Sequence, residues 1–259
     1  EISQALLTNP GIGFIAAPEL MDAEPNALRD SRGQIVAPYK FTPDSRTWNH
    51  PDSGVLFCSC RWKDIEPLQG TYDWRCLEEK LDAAAALGCT CIVRISPYAL
   101  SAQEDIPAWL RMRYPEEPEF PFWRIDPNTT EYPRLWAALI RNFAARYDGD
   151  PRITSVDMAI VGAWGEGGGT ENMEENAIKT VIAAYMEGFP HTPLTALLHD
   201  PKSLACIRAF PKQVGFRVDC LGDMGGFHGD RWSHMLDFYP ENIQNFQMGD
   251  AWQEAPVVF

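Results

Sequence analysis

Glu166 stands in the run AWGEGGG (163–169), between an indole and backbone that a ligand can approach closely. An apolar ring beside a carboxyl disfavours its charged form, and a carboxylic acid held protonated at neutral pH can act as a general acid. Taken alone, a glutamate among glycines reads equally as a solvated loop carboxylate. Further polar groups stand at or just beyond the ends of apolar runs: Arg61, Arg94, His199, Asp200, Asp219 and Asp223. Asp200 precedes Pro201 and suits a helix N-cap, and Asp223 in the run GDMGG fits a turn as well as a ligand contact. Trp62, Tyr98, Trp109, Trp123, Trp164 and Trp232 lie beside these positions. Carboxylates, arginines and indoles together suit a sugar, whose C–H faces stack on rings while its hydroxyls bond to charged groups. The catalytic candidate is Glu166. Substrate contacts are expected from Arg61, Arg94, Trp109, Trp164, His199 and Asp223.

These residues need elements to place them. β-rich runs at about 11–16, 54–60, 90–96, 153 onward, 193–200, 214–223 and 256–259 alternate with helix-like segments. Leu77, Leu81 and Ala84 recur at helical spacing before Gly88, and Leu135, Leu139, Phe143 and Tyr147 form a stripe at intervals of four. Ile178, Ile182 and Met186 mark another helix, and 201–209 a short one. The run TCIVRIS (90–96) is almost uniformly apolar, as a parallel strand covered on both faces should be. Seven strands alternating with helices predict a parallel sheet with right-handed crossovers. The 259 residues suit one (β/α)8 barrel, which needs roughly 250, and are read as a single domain over 1–259. With the long connection at 97–133, the seventh strand falls at the end of the sequence, so the expectation is a TIM barrel truncated near the end of strand seven. In such barrels the site lies at the C-terminal strand ends, where the polar residues above stand.

Composition narrows the functions. With 45% hydrophobic and 22% charged residues the chain is globular, and its formal charge of −14 disfavours nucleic acid and anionic membrane surfaces. No apolar run approaches the roughly 20 residues of a membrane span, and no nucleotide-binding glycine loop follows a strand. No cofactor or metal is expected, because five histidines without an H-x-H or H-E-x-x-H pair offer little to a metal-assisted hydrolase. Seven cysteines include the close pairs Cys58 with Cys60 and Cys89 with Cys91. Residues two apart on a strand are too distant for an easy disulfide, so these read as core thiols. Unpaired thiols lean towards the cytoplasm, whereas a removed leader would place the protein outside it.

The segment RWKDIEPLQGTYDW (61–74) resembles the clan A glycoside hydrolases, especially the β-galactosidase-like bacterial families, in which W-x-x-[IV]-E-P-x-x-G-x-[YF]-[DN]-[WF] follows strand two. Trp62, Ile65, Glu66, Pro67, Gly70, Tyr72, Asp73 and Trp74 match it. NPGIGF (9–14), IPAWL (106–110), RYDGDPRI (146–153) and WGEG (164–167) extend the likeness to a bacterial branch of glycosidases. The resemblance implies a retaining glycoside hydrolase acting on a carbohydrate, with an acid/base glutamate after strand four and a nucleophilic glutamate after strand seven. Glu166 matches the first position; the second falls just beyond Phe259. Gly165 stands where the clan usually has asparagine, so the contact to the sugar 2-hydroxyl must come from elsewhere. Glu66 is expected to be structural. The competing expectation is a degenerate, non-catalytic carbohydrate-binding barrel that kept the aromatic cleft.

Overall fold

The computed structural model describes residues 15–16, 27–29, 35–38, 54–97, 106–113, 127–162, 165–219, 234–246 and 255–258. Among them, seven strands form one sheet: β1 (Ile15–Ala16), β4 (Val55–Arg61), β5 (Thr90–Ser96), β6 (Ile153–Asp157), β7 (Leu194–Leu197), β8 (Gly215–Arg217) and β9 (Val257–Val258). β2 (Ala27–Arg29) and β3 (Ile35–Pro38) pair separately and antiparallel. The sheet order follows the chain, β1-β4-β5-β6-β7-β8-β9, and every neighbouring pair is parallel. A doubly wound sheet reverses its strand order at a switch point, whereas a barrel wall runs in one direction. The α/β architecture therefore fits part of a TIM barrel.

The helices are α1 (Trp62–Ile65), α2 (Arg75–Ala86), α3 (Ala108–Arg113), α4 (Glu131–Tyr147), α5 (Glu175–Gly188), α6 (Pro201–Ile207) and α7 (Tyr239–Asn245), the last preceded by a π-helical turn, His234–Phe238. α2 ends where the spacing predicts. Gly88 takes φ +69°, and the Gly88 and Cys89 N–H groups donate to the Ala85 and Ala84 carbonyls at 2.9 Å each, a Schellman closure that needs the left-handed residue. α4 starts four residues before Leu135, the first residue of its apolar stripe, and Pro133 sits in its first turn, where no intrahelical N–H is required. α3 lies inside the long connection expected at 97–133, as a helix not read from the sequence.

Side-chain alternation divides the sheet into two faces. Leu56, Cys58, Cys60, Cys91, Val93 and Ile95 join the main core, which also holds Leu77 and Leu81 of α2, Leu139 and Phe143 of α4 and Val181 of α5. Val55, Phe57, Ile92 and Val258 form a smaller cluster on the opposite, inner face. Cys58, Cys60, Cys89 and Cys91 are buried core residues, as expected, but the close sulfur neighbours lie across elements. Cys58 Sγ is 2.8 Å from Cys91 Sγ, and Cys76 Sγ is 2.9 Å from Cys60 Sγ. No helix of the described residues is long and apolar enough to cross a membrane.

The segment after β4 is a buried brace. The Trp62 indole N–H donates to Glu66 Oε2 at 2.6 Å, and the Gly70 N–H donates to Glu66 Oε1 at 2.7 Å. Asp73 N–H returns to the Ile65 carbonyl at 2.6 Å, closing the loop. Burial pushes the Glu66 carboxyl up, and the Gly70 and Trp62 donors pull against that rise. Glu66 is only 2% exposed, so its role is structural, as expected. Its own carbonyl accepts from the Trp109 indole N–H at 3.0 Å. Trp62 then meets Trp136 and Tyr132 of α4, with ring centroids 5.1 and 6.2 Å away. Glu66→Ala would leave the buried Trp62 indole N–H unpaired and free the Gly70 N–H of the exposed turn, and is expected to lower the unfolding free energy by about 2 kcal/mol, with Glu66→Gln milder. Urea unfolding of both variants checks this.

Candidate active site

Glu166 follows β6 on a loop whose approach is held by three aromatic side chains. The Tyr132 hydroxyl donates to the Ile160 carbonyl at 2.7 Å, and the Trp136 indole N–H donates to the Ala159 carbonyl at 2.8 Å. From α5, the Tyr185 hydroxyl accepts from Ala159 N–H at 3.2 Å. The brace built on Glu66 thus reaches the Glu166 loop through Trp62, Tyr132 and Trp136. The loop then folds on itself: Gly165 N–H donates to the Gly162 carbonyl and Gly167 N–H to the Val161 carbonyl, both at 3.0 Å. Glu166 lies between these two anchored residues, its side chain 42% exposed.

Gly165 explains the departure from the family pattern. Its φ is +79°, and a Cβ there would come within 2.6 Å of the Ala159 Cβ and 3.3 Å of the Arg94 Cδ. Asparagine tolerates the left-handed region better than most residues, but it carries the Cβ that this contact forbids. An asparagine before Glu166 would require Ala159 or the loop to move.

A group of charges lies next to Glu166 on the inner face. Arg94 Nη1 is 3.9 Å from Glu166 Oε1, and Arg94 Nε donates to Asp157 Oδ2 at 2.6 Å. Asp157 ends β6 fully buried and also accepts from the Thr195 hydroxyl at 3.1 Å. Arg217 Nε stands 2.8 Å from Asp157 Oδ2, an ion-pair contact without hydrogen-bond alignment, and its Nη1 donates to Asp219. Arg217 Nε and Nη2 are buried with no hydrogen-bond partner among the described residues. Burial alone would push Asp157 up. The Arg217 and Arg94 guanidiniums, with the Arg94 and Thr195 hydrogen bonds, outweigh it and hold the carboxyl below its ordinary range. Burial draws Arg217 down while Asp157 opposes it. On the inner face the Arg94 guanidinium also lies 4.6 Å from the centre of the Phe57 ring, so its charge is held over an aromatic surface as well.

Of the residues singled out from sequence, the structure brings Arg94 and Glu166 together. Arg61 ends β4 and pairs with Asp64 at 3.1 Å. Trp109 packs on Trp62 at 6.1 Å, with the Arg113 guanidinium 5.6 Å from its ring. His199 follows β7, its ring 6.5 Å from Phe238. Asp200 caps α6, accepting from the Ser203 N–H at 3.1 Å and the Ser203 hydroxyl at 2.7 Å, as its place before Pro201 predicts. Trp164 and Asp223 lie outside the described residues, as do Tyr98, Trp123 and Trp232. Sequence reasoning missed Asp157 and Arg217. Their signal was a charge inside an apolar run, in step with Ser155 and Asp219 two residues away.

Residues 53–158 match the family model of the glycoside hydrolase 42 group, described as β-galactosidase. No curated protein matches the chain in sequence. Among solved structures, endo-glycoceramidase II from Rhodococcus sp. with a cellobiose-like isofagomine aligns with a TM-score of 0.50 at 15% identity, over 90% of this chain and 68% of that one. The same enzyme as its lactosyl-enzyme intermediate aligns at 0.48 and 15% identity, over 90% of this chain, which spans 64% of that chain's length. A xylanase from Paenibacillus barcinonensis with a conduramine derivative aligns at 0.44 and 14% identity, over 75% and 59% of the two chains. At these identities the 0.50 alignment speaks to the fold alone. By the family match, the chain is similar over residues 53–158 to the β-galactosidase-like glycoside hydrolases of clan A.

Proposed function

We propose that this chain forms the larger part of a (β/α)8 barrel that hydrolyses a glycoside or oligosaccharide with retention, Glu166 serving as general acid/base. The observation that carries the proposal is the position of Glu166: it follows β6 at the C-terminal side of the parallel wall, half-exposed and 3.9 Å from Arg94. That is where barrel enzymes build their sites. The family match over residues 53–158 supports the reaction class.

In the first step Glu166 gives its proton to the leaving oxygen while a second carboxylate attacks the anomeric carbon, forming a glycosyl-enzyme. In the second step Glu166 takes a proton from water, which displaces the enzyme carboxylate. Retention requires the two carboxyl groups about 5 to 5.5 Å apart. Asp157, Asp219 and Asp200 are committed to Arg94 and Arg217, to Arg217, and to the α6 cap, which leaves them poor nucleophiles. The position directly after Phe259, two residues beyond Val258, is the better source, because Val258 lies in the inner-face cluster and strand alternation turns every second residue the same way. Arg94 stands ready to bond the sugar or steady the charge that passes through Glu166. The engagement of every described carboxylate around Glu166 is also what favours the second reading, a barrel that binds carbohydrate without cleaving it.

In the full-length protein, Glu166→Ala is expected to slow hydrolysis of 4-methylumbelliferyl glycosides by about 10²- to 10⁴-fold. Added azide should restore turnover and release a glycosyl azide of retained configuration, read by NMR. Unchanged hydrolysis would remove the acid/base assignment, and sugar binding without turnover by the unaltered protein would establish the second reading. Gly165→Ala, which forces a Cβ against Ala159, is expected to displace Glu166 and lower kcat by about tenfold or more. Steady-state kinetics of the purified variant measure it.

A further inference from the structure

We propose that Asp157 is a positioning residue for Glu166, acting through Arg94, with Arg217 setting the balance of charge. The inference rests on Glu166 as the acid/base. Asp157 takes the Arg94 Nε at 2.6 Å, while the Nη1 end of the same guanidinium lies 3.9 Å from Glu166 Oε1. A guanidinium is planar and rigid, so fixing Nε fixes where Nη1 points. Asp157 is wholly buried, and among the described residues Arg94 is the guanidinium that both donates a hydrogen bond to it and contacts Glu166.

Among the described residues, the groups facing Asp157 come from four elements: Arg94 on β5, Thr195 on β7, Arg217 on β8, and Tyr185 on α5, whose hydroxyl senses the Asp157 charge. Those acting on Glu166 are Arg94, in direct contact, and Arg217, through its field. Charges therefore alternate across the inner face from Glu166 through Arg94, Asp157 and Arg217 to Asp219. One buried carboxylate faces two guanidiniums, and Arg217 meets it without an aligned hydrogen bond. The firm hydrogen bond goes to Arg94, the arginine beside Glu166. Asp157 thus sets where the Arg94 guanidinium stands beside Glu166, and Arg217 adds a second positive charge on the far side of the same carboxylate.

The test is the pH dependence of kcat/KM for a 4-methylumbelliferyl glycoside cleaved by the full-length protein, for the wild type, Asp157→Asn and Arg217→Met, with Glu166→Ala as reference. Asp157→Asn keeps the shape but leaves both guanidiniums uncompensated, which favours the ionised acid. It is expected to move the basic limb to lower pH by about one unit, and to lower kcat about tenfold while KM stays within about twofold. Arg217→Met removes a positive charge and is expected to move the same limb to higher pH. A merely structural role would lower the active fraction without moving the limb. Should Asp157→Asn fail to fold, as judged by circular dichroism, Arg217→Met decides: an upward shift supports the proposal, and an unmoved or downward limb overturns it. With Glu166→Ala inactive and the limb unmoved in a folded Asp157→Asn protein, the positioning role alone falls. With Glu166→Ala as active as wild type, or no turnover by the wild type, the acid/base assignment falls and takes this proposal with it.

Discussion

The inner face of the sheet is organised by one buried carboxylate, Asp157, set between Arg94 and Arg217. Taking three charges out of water is costly, and their mutual attraction offsets that cost only when geometry and hydrogen bonds are good. Here the Arg94 hydrogen bond at 2.6 Å and the Thr195 hydroxyl supply much of the compensation, while Arg217 is less completely served. Removing one member of such a group generally costs about 3–5 kcal/mol, because it strands the others. An apolar filling would be safer for stability. That the inner face is charged at the level of Glu166 fits a site more than a structural plug.

The outer face contributes rigidity. Glu66 ties Trp62 to Gly70, Trp62 packs on Tyr132 and Trp136, and those two aromatics hold the carbonyls of Ile160 and Ala159 just ahead of the glycine loop. The segment that carries the family resemblance is thus connected, through side-chain contacts, to the loop that carries Glu166. A site built on braced elements holds its geometry better than one on an unsupported loop. Gly165 is part of the same design, since the close approach to Ala159 that places the loop leaves no room for a side chain.

Much of the fold could be read from the sequence, because almost uniformly apolar runs such as Cys91 to Ile95, broken only by Arg94, have few alternatives to a strand covered on both faces, and the stripe from Leu135 to Tyr147 has none to a helix. The Asp200 cap follows from local chemistry and was legible for the same reason, whereas the structural role expected of Glu66 came from the resemblance of its motif. Asp157 and Arg217 were not legible, since their mutual contact and that of Asp157 with Arg94 join residues about sixty positions apart that the sheet brings alongside. The thiol contacts across Cys58 and Cys91 and across Cys60 and Cys76 escaped for the same cause: spacing along one strand says nothing of the neighbouring element. α3 was hidden in a segment dense in proline and aromatics, where helical periodicity is too short to stand out.

The central claim is that Glu166 exchanges a proton with the glycosidic oxygen. A crystal structure of the full-length protein holding an uncleavable, sulfur-linked oligosaccharide tests it most directly. The account predicts the Glu166 carboxyl about 3 Å from the linking atom, with Arg94 turned toward the same carboxyl. A sugar bound with its linkage out of reach of Glu166, or on another face of the wall, would contradict it.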